Sequence, residues 1–267
     1  MRVTAPFGRR RVALTDAQDV GAYRVLHAAD PGGPLPWPGQ FYMLAATQRW
    51  GAGHDERPFL PRAFSFLRAA AGELSFMLED VGPGTRRLGE LAAGDELWLT
   101  GPLGSGFTLP APRQRAILAG GGVGIPPLAA LAAALAGSGL SADALLGFRD
   151  AEHAAGARLL SDASVQIATD DGSVGHYGLV TELLSAELDR EAQAIVYACG
   201  PPAMLEAVRG LCAERGVDAQ LALESGMACG FGACFGCVVD VPDGGYVRVC
   251  VDGPVLDAAR LAAVPAH

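Results

Sequence analysis

Thirteen consecutive residues, SGMACGFGACFGC at 225–237, hold three cysteines and four glycines and no charged side chain. With Cys250 they give the spacing Cys229-x4-Cys234-x2-Cys237-x12-Cys250. Three thiolates on one loop, with a fourth returned by a hairpin, make the plant-type arrangement for a 2Fe-2S cluster. A cluster bound by four thiolates is negatively charged, and backbone amides reach its sulfurs only where Cβ atoms are absent, which gives the glycines a role. Met227, Phe231 and Phe235 supply apolar bulk that keeps water off such a centre. A structural zinc site is the competing metal reading, although four-cysteine zinc sites usually show two C-x2-C pairs. Cys199 and Cys212 fall outside the spacing, and Cys212, on an expected helix, reads as a small buried hydrophobe.

The remaining chain has to support that loop. Its 267 residues are half hydrophobic, enough for two compact domains or one large one, and none of its six cysteines precedes residue 199. Such clustering suits a metal site better than a disulfide framework. A formal net charge of -9 argues against a nucleic-acid partner. The most apolar window, 116–136, is broken by glycines and prolines as a strand, turn and helix would be, which argues against a membrane span. Arg2, Arg9, Arg10, Arg11, Asp16 and Asp19 leave no apolar run in the first twenty residues, so a cytoplasmic location is expected.

Residues 1–110 carry short β-rich stretches at 11–14, 23–28, 41–45, 74–78 and 96–100, separated by turns such as PGGPLPWPGQ and GPLGSG. That rhythm predicts a small antiparallel β-barrel. Residues 111–217 alternate apolar strands (115–119, 142–148, 165–169, 195–198) with helices (126–136, 179–188, 202–215), the pattern of an open parallel α/β sheet. Residues 218–267 hold the cysteine loop and two short strands, 237–241 and 246–251. The expected fold class is multidomain, β plus α/β, with a small C-terminal 2Fe-2S loop and hairpin domain.

Two glycine turns fall in the α/β part. ILAGGGVGIPPLAAL sets Gly120, Gly121, Gly122 and Gly124 between a strand and a helix whose first turn holds Pro126, so phosphates can approach backbone N–H groups. It does not match G-x-G-x-x-G, and a tight turn without function also explains it. YACGPPAML ends another strand with Cys199, Gly200 and Pro201, and in an open parallel sheet both turns would face one crevice. In the barrel, RAFSF (62–66) and GPGT (82–85) offer an arginine and a glycine turn with a hydroxyl, or only a surface charge and a turn.

Barrel, α/β domain and cluster loop in this order resemble the ferredoxin-reductase superfamily. ESGMACGFGACFGCVVDV with VCVDGPVL resembles one of its families, the electron-transfer subunits of class 1B dihydroorotate dehydrogenase, and the resemblance covers essentially the whole chain. It implies FAD on the barrel, with Arg62, Ala63, Phe64 and Ser65 matching the family's Arg-Pro-x-Ser segment. Met77, Leu78 and Glu79 would line the ribityl and phosphate side, and Gly84 and Thr85 would hold the pyrophosphate. Ala63 departs from the usual proline, and Glu79 stands where a basic residue is common.

The resemblance further implies a nicotinamide nucleotide on Gly120, Gly121, Gly122, Gly124, Pro126, Cys199, Gly200 and Pro201, flanked by TDDGSVGHYGLVT (169–181), and 2Fe-2S ligation by Cys229, Cys234, Cys237 and Cys250. NAD is expected over NADP: no basic cluster follows the second α/β strand, and Asp150 beside Arg149 would repel a 2'-phosphate. Ser65 is the candidate hydrogen-bond partner of the flavin N5 region, or else a strand hydroxyl bonded to backbone; Cys199 either contacts the nicotinamide or packs. The implied partner is an FMN-containing catalytic subunit that oxidises dihydroorotate to orotate in pyrimidine biosynthesis. Its electrons would pass through 2Fe-2S and FAD to NAD+ within a two-plus-two hetero-oligomer, with no side chain needed as acid or base. Phe231 and Phe235 would face that partner, or only shield the cluster. The alternatives are a hydrogenase diaphorase or oxygenase reductase subunit and, in another class, a zinc-stabilised interaction module without redox activity.

Overall fold

A computed structural model describes residues 8–51, 57–70, 72–191, 193–242 and 244–265. Arg2 and the extreme ends of the expected units, at 1–7 and 266–267, lie outside the described residues. Seven strands, β1 (Arg9–Val20), β2 (Tyr23–Ala29), β3 (Phe41–Ala46), β4 (Arg62–Ser65), β5 (Arg68–Ala70), β6 (Glu73–Leu78) and β7 (Glu96–Leu103), form an antiparallel sheet in the order β4-β3-β7-β1-β2-β6-β5. Alternation shapes it: Val12 and Leu14 of β1 are buried while Arg11 and Ala13 between them are exposed. β3, FYMLAA, is buried on both faces. Tyr42, Leu44 and Ala46 enter the barrel core with Phe76 and Leu99, whereas Phe41 and Met43 join a second core that also holds Cys237 and Cys250. One strand thereby ties the barrel to the cysteine loop.

The stretch GPGT, expected as a turn, opens a short helix, α1 (Pro83–Gly89), with its proline in the first turn, where a missing N–H costs little. The second sheet holds the parallel strands β8 (Arg115–Gly121), β9 (Ala142–Phe148), β10 (Ser164–Thr169), β11 (His176–Tyr177), β12 (Ala194–Cys199) and β13 (Asp218–Ala222). Helices α2 (Ile125–Gly137), α3 (Ala151–Ala154), α4 (Val180–Arg190) and α5 (Pro202–Arg215) connect them. Helix α2 is apolar nearly all round because its Leu128 and Leu131 pack on the sheet while Ala130 reaches the barrel core. The order β11-β10-β9-β8-β12-β13 reverses direction between β8 and β12, and in open α/β sheets that reversal makes the ligand crevice.

The cysteine loop is an excursion from this sheet. After β13 the chain runs through the loop and the hairpin β14 (Val238–Asp240) and β15 (Tyr246–Arg248), then returns as β16 (Val255–Asp257), antiparallel to β13. Among the described residues no helix is long and apolar enough to cross a membrane.

The two glycine turns meet backbone to backbone: a Cβ on Gly124 would overlap the carbonyl oxygen of Cys199. Gly124→Ala is therefore expected to destabilise the protein by about 1–3 kcal/mol through overpacking, measured by urea unfolding. Gly137→Ala, at a helix end where a Cβ would meet nothing, serves as the control and is expected to lose no stability.

Candidate redox site

A cleft of about 360 Å³ opens where the curled barrel faces the end of the parallel sheet, lined by Arg62, Ala63, Phe64 and Ser65 of β4, Met77 and Leu78 of β6, Glu79 and Thr85. β4 and β6 are five places apart in the strand order, so only the curl of the sheet brings them together. The expected flavin residues thus share one cavity, except Gly84. Gly84 instead makes room: a Cβ there would sit 2.6 Å from Arg62 Nε, so its absence lets the guanidinium lie against the first turn of α1. Arg62 donates from NH1 to the Leu60 carbonyl at 2.6 Å. Thr85 Oγ1 donates to the Gly82 carbonyl and accepts from Val81 N, holding the loop into α1. An arginine over the start of a helix, above an apolar floor of Phe64, Met77 and Leu78, can seat a phosphate-bearing aromatic ligand.

The opposite wall of this cleft comes from elsewhere in the chain. Pro126, Cys199 and the segment Ala222–Met227 line it. The structure therefore puts Pro126 and Cys199 on this cleft rather than on the neighbouring cavity at the strand reversal. Glu224, Ser225, Gly226 and Met227 are an addition that sequence reading missed; their one local signal is that they immediately precede the cysteine loop. Burial and the nearby Glu224 carboxylate raise the Cys199 thiol well above the usual thiol range, and burial pushes Cys212, packed in α5, up to about 12.

A second cavity, of about 660 Å³, lies at the strand reversal, lined by Gly121, Gly122, Gly147, Arg149, Asp170, Leu179, Val180, Thr181, Gly200 and Pro201. Gly120 and Gly124 do not line it; a Cβ on Gly120 would press on Leu146 and Leu128, so that glycine serves helix-to-strand packing. The hydroxyl of Tyr23, another wall residue, is buried with no hydrogen-bond partner among the described residues. A buried donor without a partner in a glycine-floored cavity fits a polar ligand. Glu79, Val123 and Glu224 line both cavities, so the two are contiguous.

In the cysteine loop the sulfurs draw together in two couples. Cys237 Sγ lies 3.1 Å from Cys250 Sγ, while Cys229 is within hydrogen-bonding reach of the Cys234 thiol. Backbone amides aim at the sulfurs: Ala233 N at Cys229 (3.3 Å), Gly236 N at Cys234 (3.5 Å) and Cys250 N at Cys237 (3.5 Å). Burial opposes ionisation of Cys229, yet the amides of Phe231, Cys234 and Ala233 and the Cys234 thiol bring it down to about 6. Burial and the adjacent Cys237 sulfur push Cys250 up. Gly230 and Gly232 take left-handed backbone angles (φ 79 and 85) that let the loop coil around the sulfurs. Among the described residues no three His, Cys, Asp or Glu side chains gather as ligands of one metal ion. Two couples of thiols beside amide donors suit two irons sharing four thiolates better than a single tetrahedral zinc.

A family described as the iron-sulfur cluster binding domain of dihydroorotate dehydrogenase B is matched by residues 224–262. A Geobacillus thermodenitrificans protein named dihydroorotate dehydrogenase B (NAD(+)), electron transfer subunit, is 38% identical over 265 residues, covering 95% of this chain and 98% of that one. The chain belongs to this family. A member from Desulforamulus reducens is 36% identical over 226 residues, 83% of this chain and 85% of its own. Among solved structures, an NADH-dependent reduced ferredoxin-NADP oxidoreductase superposes with a TM-score of 0.80 at 24% identity, covering 96% of this chain and 91% of that one. The ferredoxin reductase of carbazole 1,9a-dioxygenase gives 0.69 at 22% identity over 80% and 68% of the two chains. The ferredoxin-reductase-like fold expected from the sequence is borne out.

The two cysteines outside the loop are expected to be inert. With their thiols buried and raised, Cys199 and Cys212 should stay unlabelled by iodoacetamide at pH 8.5 in the folded protein and react fully in denaturant, as read by peptide mass spectrometry. Rapid labelling of folded Cys199 would contradict its burial against Glu224.

Proposed function

We propose that this chain is the NAD+-reducing electron-transfer subunit of a dihydroorotate dehydrogenase, working with an FMN-containing subunit that oxidises dihydroorotate in pyrimidine biosynthesis. The observation that carries the proposal is contiguity. Ser225, Gly226 and Met227 line the barrel cleft only a few residues before Cys229, and that cleft shares walls with the nucleotide cavity. When bound, the 2Fe-2S centre passes single electrons, FAD pairs them, and NAD+ accepts a hydride.

The chain's own residues hold, dry and orient. Arg62 and the first turn of α1 would oppose the flavin pyrophosphate, with Gly84 giving the guanidinium its place. Phe64, Met77 and Leu78 would exclude water from the flavin ring and ribityl chain, and Ser65 offers a hydroxyl on the same wall. Gly121, Gly122, Gly200 and Pro201 would floor the nucleotide. Cys199 and Pro126, on the cleft wall at the strand reversal, would stand between flavin and nicotinamide. Cys229, Cys234, Cys237 and Cys250 would bind the irons, and their amide neighbours would stabilise the charge on sulfur.

Electron entry is read from exposure. Cys234 is exposed, and in the same loop and hairpin Phe235 (60%), Tyr246 (72%) and Phe231 (44%) are exposed too, the Phe235 ring lying beneath the Arg248 guanidinium. Such a patch at a cluster edge is the docking face for the FMN subunit in a two-plus-two assembly. The functional units are taken as 1–110 for FAD, 111–217 for NAD and 218–267 for the cluster, and the cytoplasm as the location. Coexpression with an FMN-dependent dihydroorotate dehydrogenase is expected to give dihydroorotate-dependent NAD+ reduction that the catalytic subunit alone lacks. No gain over the catalytic subunit alone would contradict the assignment.

A further inference from the structure

We infer that Glu79 is a specificity-determining residue for the nicotinamide nucleotide: from the flavin barrel it takes up the charge of Arg149 in the nucleotide cavity and so denies a 2'-phosphate its cation. The inference rests on the reading of the 660 Å³ cavity as the nucleotide site.

Arg149 follows directly on β9, the strand after whose end ribose recognition is decided in open α/β sheets, where an arginine accommodates a 2'-phosphate. Here that arginine is engaged. Its NH2 pairs with Glu79 Oε1, and its Nε donates to His153 Nε2 at 3.0 Å. His153 in turn places Nδ1 2.7 Å from Asp150 Oδ1, and Asp150 also caps α3 by accepting from the His153 amide. The Glu79 and His153 side chains are largely buried (19% and 12% exposed) and hold the inner end of the network by packing, while the Arg149 side chain that reaches them is 59% exposed. The Tyr23 ring stands edge-on to His153, 5.7 Å between centroids, and closes the wall behind it.

The charge around the cavity follows. Its described basic residues are Arg149 and His153, set against Glu79, Asp170 and Glu224, with Asp150 adjacent. A 2'-phosphate brought to the end of β9 would have to displace a carboxylate already paired with Arg149 and would meet the repulsion of the other carboxylates. A 2'-hydroxyl meets no such conflict and finds acceptors. Glu79 follows directly on β6 of the barrel, and its partner lies in the α/β part of the chain, 70 residues away. Discrimination between nucleotides is thereby set by the flavin domain as well as by the α/β sheet.

The test compares the holo chain with Glu79→Gln, Arg149→Met and the double variant, reading NADH- against NADPH-dependent ferricyanide reduction. Calorimetric binding of 2',5'-ADP against 5'-AMP supplies a readout independent of flavin turnover. Glu79→Gln is expected to raise the NADPH:NADH ratio of kcat/KM, and the relative affinity for 2',5'-ADP, about three- to fivefold, the size of one ion pair with a half-exposed cation released. Adding Arg149→Met is expected to return both ratios to the parental value. Parallel changes for both nucleotides, or a gain that survives the loss of Arg149, would overturn the inference. A parental chain that oxidises neither nucleotide contradicts the proposed function itself; one that oxidises NADH but shows no ratio shift in Glu79→Gln contradicts only the role of Glu79.

Discussion

Holding two couples of thiols in one loop, Cys237 with Cys250 in the interior and Cys229 with the exposed Cys234, is unfavourable once they ionise, and the architecture around the loop is organised by that constraint. Amide N–H groups of Ala233, Gly236 and Cys250 point at sulfur in place of water, which is possible because glycines at 230 and 232 let the backbone turn inward. The loop is then anchored twice. β13 and β16 hold its ends in the parallel sheet, and Cys237 and Cys250 share a core with Phe41 and Met43 of the barrel. A loop tied to both domains cannot shift relative to either cavity without breaking that core.

The same anchoring explains why three sites become one path. The carboxyl ends of β8 and β12 carry the glycine turns, the barrel covers them from one side, and the segment leaving β13 passes along the cleft before reaching Cys229. Glu79, Val123 and Glu224 belong to three separate stretches of chain, yet each lines both cavities. Electron transfer and hydride transfer both fall steeply with distance, so shared walls matter more here than the chemistry of any one side chain.

Much of this was legible in the sequence where the signal is local. Cysteine spacing marked the cluster loop, turn-punctuated β stretches marked the barrel, and Pro126–Pro127 marked the start of α2. Four things were not legible, the first three for a common reason. β13 looked like the start of the cysteine region because its pairing with β12 and β16 is long-range. Pro126 and Cys199 lie at two glycine turns that border two cavities, and only the barrel's position decides that these two side chains line the barrel cleft. Glu79, just past the end of β6, read as a departure from the family pattern because its partner Arg149 lies far along the chain. α1 was hidden by the glycines at 82 and 84, which read as a turn although Pro83 begins a helix and Gly84 admits Arg62.

The most direct measurement is metal content of anaerobically purified protein by elemental analysis, compared with Cys237→Ser and Cys250→Ser. The expected result is about two irons per chain, set by the two-iron cluster type, with no stoichiometric zinc, and loss of that iron in both variants. Stoichiometric zinc without iron, or iron that survives removal of either cysteine, would contradict the gathering of these four sulfurs around a 2Fe-2S centre.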